Sequence, residues 1–563
     1  MAVAAVLLGV LADASALLGA TTTSSFWEAL KASSAEILGG HVKMETQLEI
    51  PDELATWKRT GKAPDHEWHE MTFAVKQNNI EHLKRRIEQT SDLDSPMYGQ
   101  HLSHEEVGNL VRNDEGTSAV TEWLESNGVV ASATMFGEYI RAGSTVGVWQ
   151  ELLAAKFHRY EPTDPGGKKG GFVLRAREYS LPARIAKHVD CVLKVTHLPS
   201  GMTKIRGHGS LVPLGHKEEE ENNARRVEYE ERLRRRLLAG APTPMPSRPP
   251  TLEPTASPSV SNAPTMAPTD EYTGYVTPKL LNSLYNITDN SAPYGSFGVF
   301  EALGLYGSST DLALYLEHFN LANTTIGNVV GGHYAANIGL NKISSGEANA
   351  DVQYLLAVAS GRSKNLWFWY YEFGNWGDWL ASVADSSSYP LIFSMSYGGS
   401  EFFGNPESEM AQFEKEAIKL ASKGVTLVNS AGDDGTVGSG GRYYAEKSEA
   451  KQKKFCKQYG YSPQFPSSSP YVVSVGGTNG PQNGKEEVVS STQTGAVITS
   501  GGGFSEYFSV PDYQADYTKA YFDTPSGMAA KPGYKRRGRG YPDVAALANN
   551  YQIAKNGSLA HHL

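Results

Sequence analysis

Two carboxylates four residues apart, Glu347 and Asp351 in the run Gly346-Glu347-Ala348-Asn349-Ala350-Asp351-Val352-Gln353-Tyr354, have the spacing of a proton-handling pair. On a helix such positions lie one turn apart on one face, so one carboxyl can hold and polarise the other. With a reference pKa of about 4, a carboxylate works as a general base in acid, where a histidine is already protonated. The same spacing also arises wherever a helix turns a charged face to water. A second acidic run, Ser430-Ala431-Gly432-Asp433-Asp434-Gly435, reads alone as a tight turn, with Asp433 and Asp434 both open to a chemical role. An aspartate at such a place donates a hydrogen bond only when protonated, which calls for low pH or burial.

The elements around these residues say where they sit. From Tyr275 onward, helical runs (311–319, 348–359, 407–423) alternate with short apolar strands at 391–394, 425–428 and 471–475. That alternation predicts an α/β fold, a parallel sheet with helices on both faces and functional groups at the carboxyl ends of the strands. Ser394-Met395-Ser396-Tyr397-Gly398-Gly399 and the Ser430–Gly435 run each follow a strand directly, where an active site belongs. Ser500-Gly501-Gly502-Gly503 is glycine-rich yet fits no phosphate-binding pattern. Trp367 and Trp369 read as core or as a subsite wall, and Asp543 in Tyr541-Pro542-Asp543-Val544 as a structural residue bonding nearby backbone.

Six motifs occur in one order: Gly346–Tyr354, Ser394–Gly399, Ala431-Gly432-Asp433, Phe465-Pro466-Ser467-Ser468-Ser469-Pro470-Tyr471, Ser500-Gly501-Gly502-Gly503-Phe504-Ser505 and Gly540-Tyr541-Pro542-Asp543-Val544-Ala545-Ala546. In order and spacing the chain resembles the sedolisins, the serine-carboxyl peptidases of subtilisin-like fold, and among them the tripeptidyl-peptidase I branch. The resemblance implies that a serine hydroxyl attacks the peptide carbonyl, Glu347 takes its proton and Asp351 orients and tunes Glu347. It places Asp433 where the subtilisin-like loop carries its oxyanion-hole donor, a role worth roughly 3 kcal/mol of barrier. It also makes Ser396, Tyr397 and Gly398 a substrate-binding edge that pairs with an extended peptide backbone. The expected pH optimum is acidic.

The resemblance also has a gap. In sedolisins a Gly-Thr-Ser-x-Ser motif carrying the nucleophile follows Tyr-Pro-Asp-Val-Ala, at the start of a buried helix. Here Asn549 to Leu563 contains only Ser558, which follows Asn556-Gly557 and lacks the threonine, so it is not assigned the role. As written, the chain is expected to hydrolyse no peptide bond. The alternatives are a peptide-binding pseudopeptidase or a propeptide-type inhibitor of an active relative. Calcium accompanies the full-length family through segments that have no match here, so no metal ligand is assigned.

Upstream, a strand at Thr72–Lys76, helices at 79–87, 118–126 and 146–157, and a strand at 192–195 predict a compact α+β unit. With the Ser95–Ser103 run, this resembles the sedolisin activation propeptide, an antiparallel sheet with packed helices. The expected organisation is a signal peptide over 1–20, a propeptide over 45–215, a charged and Pro/Thr/Ser-rich linker over 216–270, and a peptidase domain over 271–563. Lys plus Arg number 51 against 61 Asp plus Glu, for a net charge of −10, which argues against nucleic acid as a partner. No apolar run reaches the ~18 residues of a membrane span. Expected partners are therefore peptide or unfolded-protein substrates and the chain's own propeptide, in a secreted or lysosome- or vacuole-like acidic setting. Sequons at Asn286, Asn323 and Asn556 permit glycosylation there. Of two cysteines, Cys191 reads as a small buried hydrophobe, while the partner of Cys456 is open.

Overall fold

The structure is a computed structural model that describes residues 40–47, 55, 57–163, 172–198, 203–204, 274–287, 295–335, 346–359, 365–371, 376–402, 407–438, 448–451, 453, 461–524 and 535–562. The expected signal peptide, the whole of the 216–270 linker and Cys456 lie outside these residues. By contacts the chain divides into two units. One comprises Met1–Met202 with Asn375–Ser387 and Phe402–Gly424, the other Thr203–Gly374, Ser388–Glu401 and Val425–Leu563.

The first unit is built on a four-stranded antiparallel sheet. Its strands are β1 (Trp68–Val75), β2 (Val130–Ala133), β3 (Tyr139–Thr145) and β4 (Val189–Leu193), in the spatial order β2-β3-β1-β4. Helices Ile80–Ser91, Asp114–Ser126 and Val146–Leu152 accompany it. Phe73 of β1 stands opposite Ile140 and Val192, and these three are fully buried with Trp149, Leu124 and nearly all of Trp123. Burial of each such side chain stabilises by about 1.5–3 kcal/mol. The helix expected over 146–157 stops at Leu152. Ala154 turns left-handed at φ 46°, and Phe157 opens a strand, Phe157–Pro162, that pairs with Val173–Ala176. Cys191 is buried and free, its thiol pushed well above its usual range by burial first and by the Glu45 and Asp190 carboxylates next. That agrees with an inert packing role.

Two helices from much later in the chain, Trp376–Ala384 and Glu407–Ser422, complete this unit through buried polar contacts. Lys419 pairs with Glu138 at 3.0 Å and Glu416 at 2.8 Å, and Tyr139 donates to Glu416 Oε1 at 2.6 Å. Nearby, His197 Nε2 lies 2.9 Å from Glu45 Oε1, and Ser408 also donates to Glu45.

The second unit carries the expected α/β architecture, an eight-stranded sheet flanked by helices. Its strands are β5 (Phe297–Glu301), β6 (Asn328–Val330), β7 (Leu366–Tyr370), β8 (Ile392–Met395), β9 (Thr426–Ser430), β10 (Val473–Asn479), β11 (Val488–Val489) and β12 (Val544–Leu547). The order is β6-β7-β5-β8-β9-β10-β11, with β12 also on β10, and every pairing is parallel except β10 with β11. Helices α1 (Ser309–His318) and α2 (Gly346–Val358) bury Leu312, Leu316, Val352 and Leu356 with Val299, Leu366 and Phe368 of the sheet. The side chain of Ser308 caps α1 by accepting from the Asp311 N–H. Trp369 is buried against Phe393 and Trp367 is half-buried, so the first belongs to the core.

A hairpin, Tyr551–Lys555 with Ser558–His562, packs into the same core through Ile553 and Ala554. Its two-residue turn, Asn556-Gly557, has φ of 54° and 74°, the pair of positive values that matches strand twist in a tight hairpin. A small three-stranded sheet places Tyr397–Ser400 between Thr203–Lys204 and Gln464–Phe465, antiparallel to both.

Candidate active site

The candidate residues gather at the carboxyl end of the central strands. β8 and β9 are parallel neighbours with Met395 opposite Asn429, so Ser396-Tyr397 and the Ser430–Gly435 loop leave the sheet side by side. Glu347 and Asp351 lie on α2 one turn apart, Glu347 buried and Asp351 half-buried. Ser396 Oγ donates to Asp351 Oδ1 at 3.1 Å, which joins one proposed carboxylate to the proposed substrate edge. The backbone of Tyr397 and Gly398 pairs with Lys204 and Thr203.

Two residues enter the site that sequence reasoning missed. Glu301, fully buried at the end of β5, accepts from the Tyr397 hydroxyl at 2.6 Å. That phenol is held well above its usual range by burial first, then by the Glu301 and Glu347 carboxylates. The available signal was an acid ending an otherwise apolar strand, Phe297-Gly298-Val299-Phe300-Glu301. His562 is the second, with Nε2 3.2 Å from Glu347 Oε2. No local spacing announces a partner 215 residues away.

The Asp433 loop is fixed from two directions. The Ala431 N–H donates to Val475 O, Gly432 O accepts from Gly501 N–H at 2.7 Å, and Asp433 O accepts from Thr499 N–H at 2.9 Å. Asp434 forms an isolated parallel bridge with Thr499. Gly432 requires its glycine, at φ 105°, and Gly501 requires its own for space, since a Cβ there would lie 1.9 Å from Ala431 O. The glycine-rich Ser500–Gly503 run thus braces the Asp433 loop by backbone contact. Groups held rigidly in this way can stabilise developing charge without reorganising.

Asp543 Oδ2 accepts from the Ser474 N–H at 2.8 Å and from Arg539 Nη2 at 2.6 Å. It ties two strands together, as a structural residue would. Among the described residues no group of three or more His, Cys, Asp or Glu is arranged to hold a metal ion. The calcium associated with the resembled family finds no fitting cluster among those residues. No described helix is long and apolar enough to cross a membrane.

The Pro-kumamolisin, activation domain family matches residues 55–198. Tripeptidyl-peptidase 1 of Canis lupus familiaris is 27% identical over 530 residues, covering 90% of this chain and 78% of that protein. Tripeptidyl-peptidase 1 of Dictyostelium discoideum is 26% identical over 510 residues, covering 86% of this chain and 72% of that protein. Among solved structures, Pseudomonas sedolisin, a serine-carboxyl proteinase complexed with two molecules of pseudo-iodotyrostatin, aligns with 51% of this chain and 74% of its own at 22% identity and a TM-score of 0.37.

Proposed function

We propose, given that the chain belongs to the sedolisin family of serine peptidases and carries its activation domain, that it is the precursor of a tripeptidyl-peptidase-like enzyme acting on peptides or unfolded chains in acid. The observation that carries this reading is the juxtaposition of the Glu347–Asp351 helix with the edge at Ser396, through the 3.1 Å hydrogen bond to Asp351. In the proposed reaction Glu347 takes the proton of the attacking serine hydroxyl and Asp351 orients the base. Protonated Asp433 donates to the carbonyl oxygen as it becomes an oxyanion. An ionised Asp433 would repel that oxygen, so Asp433 favours low pH while the need for an ionised Glu347 sets the acid limit, and the two together define a window. Glu347 must be ionised and Asp433 must not. The nucleophile is assigned to no residue of this sequence.

Substrate would add to Tyr397–Gly398 as an antiparallel strand, in the place that Thr203–Lys204 takes in this structure. The pairing of that edge with Thr203–Lys204 supports its capacity to take an extended segment. The same pairing favours a second reading, a pseudopeptidase that binds peptides without turnover. A secreted or lysosome- or vacuole-like compartment fits the acid chemistry, and the exposure of Asn286 and Asn323 fits glycosylation at those sequons.

The test is incubation of the purified protein, across a range of acidic pH, with a fluorogenic tripeptide amide and with an N-blocked longer peptide. Release of the fluorophore from the free-amine substrate, abolished by Glu347→Gln, supports the peptidase and would supply the evidence for a nucleophile that the sequence does not assign. Saturable peptide binding without turnover supports the pseudopeptidase. Neither binding nor turnover overturns both.

A further inference from the structure

We propose that His562 is a positioning residue for the general base, and that the Tyr551–His562 hairpin is held against α2 so as to present its imidazole to Glu347. This rests on the peptidase reading of Glu347.

The hairpin is fastened at three places, one of them on α2. Its turn is held by Asp311 of α1, whose carboxylate accepts from the Asn556 N–H at 3.0 Å and the Gly557 N–H at 2.7 Å. Its first strand is held by amides of α2. Asn349 Nδ2 and Gln353 Nε2 both donate to Ala554 O, at 3.1 and 2.8 Å, and the Ala554 N–H returns a bond to Gln353 Oε1 at 2.9 Å. Its far end is set by His561, whose ring stacks on Tyr275 with centroids 3.8 Å apart. Gly346, Asn349 and Gln353 recur at i, i+3 and i+7, so they form one stripe of α2 facing the hairpin.

Gly346 shows that the fit is made for the ring. A Cβ there would lie 2.9 Å from His562 Nδ1, although the backbone at this residue is not of the left-handed kind that needs glycine. The absent side chain therefore serves space for the imidazole rather than conformation. The Lys555 ammonium lies near the same spot. Both Glu347 and His562 are only 7% exposed, so water competes weakly for their hydrogen bond. With its proton on Nε2, the imidazole donates a hydrogen bond to Glu347 Oε2. The contact at Oε2 restrains the rotation of the Glu347 carboxylate. His562 thus fixes the direction of that carboxylate without touching substrate.

The experiment uses the full chain and two readouts. By proton–nitrogen NMR, the His562 Nε2–H should appear as a slowly exchanging, strongly deshielded imidazole resonance. It should vanish in both His562→Ala and Glu347→Gln, be displaced by Gly346→Ala, and persist in His41→Gln, a control at an exposed surface position. In turnover, His562→Ala should lower kcat roughly ten- to a hundredfold with KM little changed, and His562→Gln should recover part of it. A resonance untouched by Glu347→Gln, or wild-type kcat in His562→Ala alongside an inactive Glu347→Gln, overturns the proposal alone. Turnover that survives Glu347→Gln overturns the peptidase reading itself. Should the protein turn over nothing, the shared resonance still decides whether the two side chains are coupled.

Discussion

Replacing Glu409 by glutamine should make the stability of the first unit nearly indifferent to pH in one window, and the structure sets the size of the effect. Glu409 is 2% exposed on the Glu407–Ser422 helix and accepts from the Trp376 N–H at 2.7 Å. Burial drives its pKa from the ordinary 4.5 up to about 7, with Glu45 and Asp378 adding to the rise while His197 and the Trp376 bond oppose it. The folded protein therefore keeps this proton where the unfolded chain has released it, and stability falls as pH rises from 4.5 to about 7. A difference of about 2.5 pH units, at about 1.36 kcal/mol each, amounts to about 3 kcal/mol. Glutamine keeps an acceptor for Trp376 and carries no charge. Calorimetric unfolding at about pH 4.5 and about pH 8 should then show no difference between Glu409→Gln and wild type in acid, and a gain of roughly 6–12 °C for the variant in base. The neighbouring pair leaves a remnant of slope. Burial lowers the His197 pKa but Glu45 outweighs it, so the net rise gives stability that is present in acid and lost as pH climbs through the histidine's folded value. Burial likewise raises Glu45, yet the His197 charge and its hydrogen bonds hold it lower, so its contribution is lost only in stronger acid. An equal shift of the variant at both pH values, or a loss in base, would refute the argument.

Lys419→Met removes the cation that sits between Glu138 and Glu416 in the buried part of the same unit, and should cost about 3–5 kcal/mol in urea unfolding, with part regained in a Lys419→Met/Glu416→Gln double variant. Gly501→Ala drives a methyl into Ala431 O, so amide exchange at Ala431–Asp433 should quicken and turnover should fall by more than the loss of global stability explains. Arg539→Met leaves the Ser469 and Val472 carbonyls and the Asp543 carboxylate without their fully buried donor, and should lower the denaturation midpoint by an equivalent of about 3–5 kcal/mol. Glu347→Gln should reduce kcat by about 10²–10⁴-fold while peptide binding, followed by calorimetry, stays within a fewfold of wild type.

Where the sequence spoke clearly, the information was local. The apolar runs at 391–394 and 425–428 became β8 and β9 to within two residues, because strand burial and helix alternation leave a periodic trace. The i, i+4 spacing of Glu347 and Asp351 likewise needed only helical geometry. The overrun at 146–157 failed for an equally local reason, since nothing in Ala154-Ala155 marks a left-handed residue, and alanine is a strong helix former. What stayed hidden is long-range. Asp311, Asn349, Gln353 and Gly346 each look ordinary on their own helices, yet together they hold the turn, the strand and the ring of one hairpin more than 200 residues away. A buried carboxylate tolerates its place only with partners that offset desolvation. The question that finds such partners is which distant polar groups can donate to it. For Glu347 one donor is His562, and for Asp351 one is Ser396. The Glu347–Asp351 pair is thereby held from both ends, by a hairpin on one side and by the proposed substrate edge on the other, so movement of either should be felt at the proposed general base.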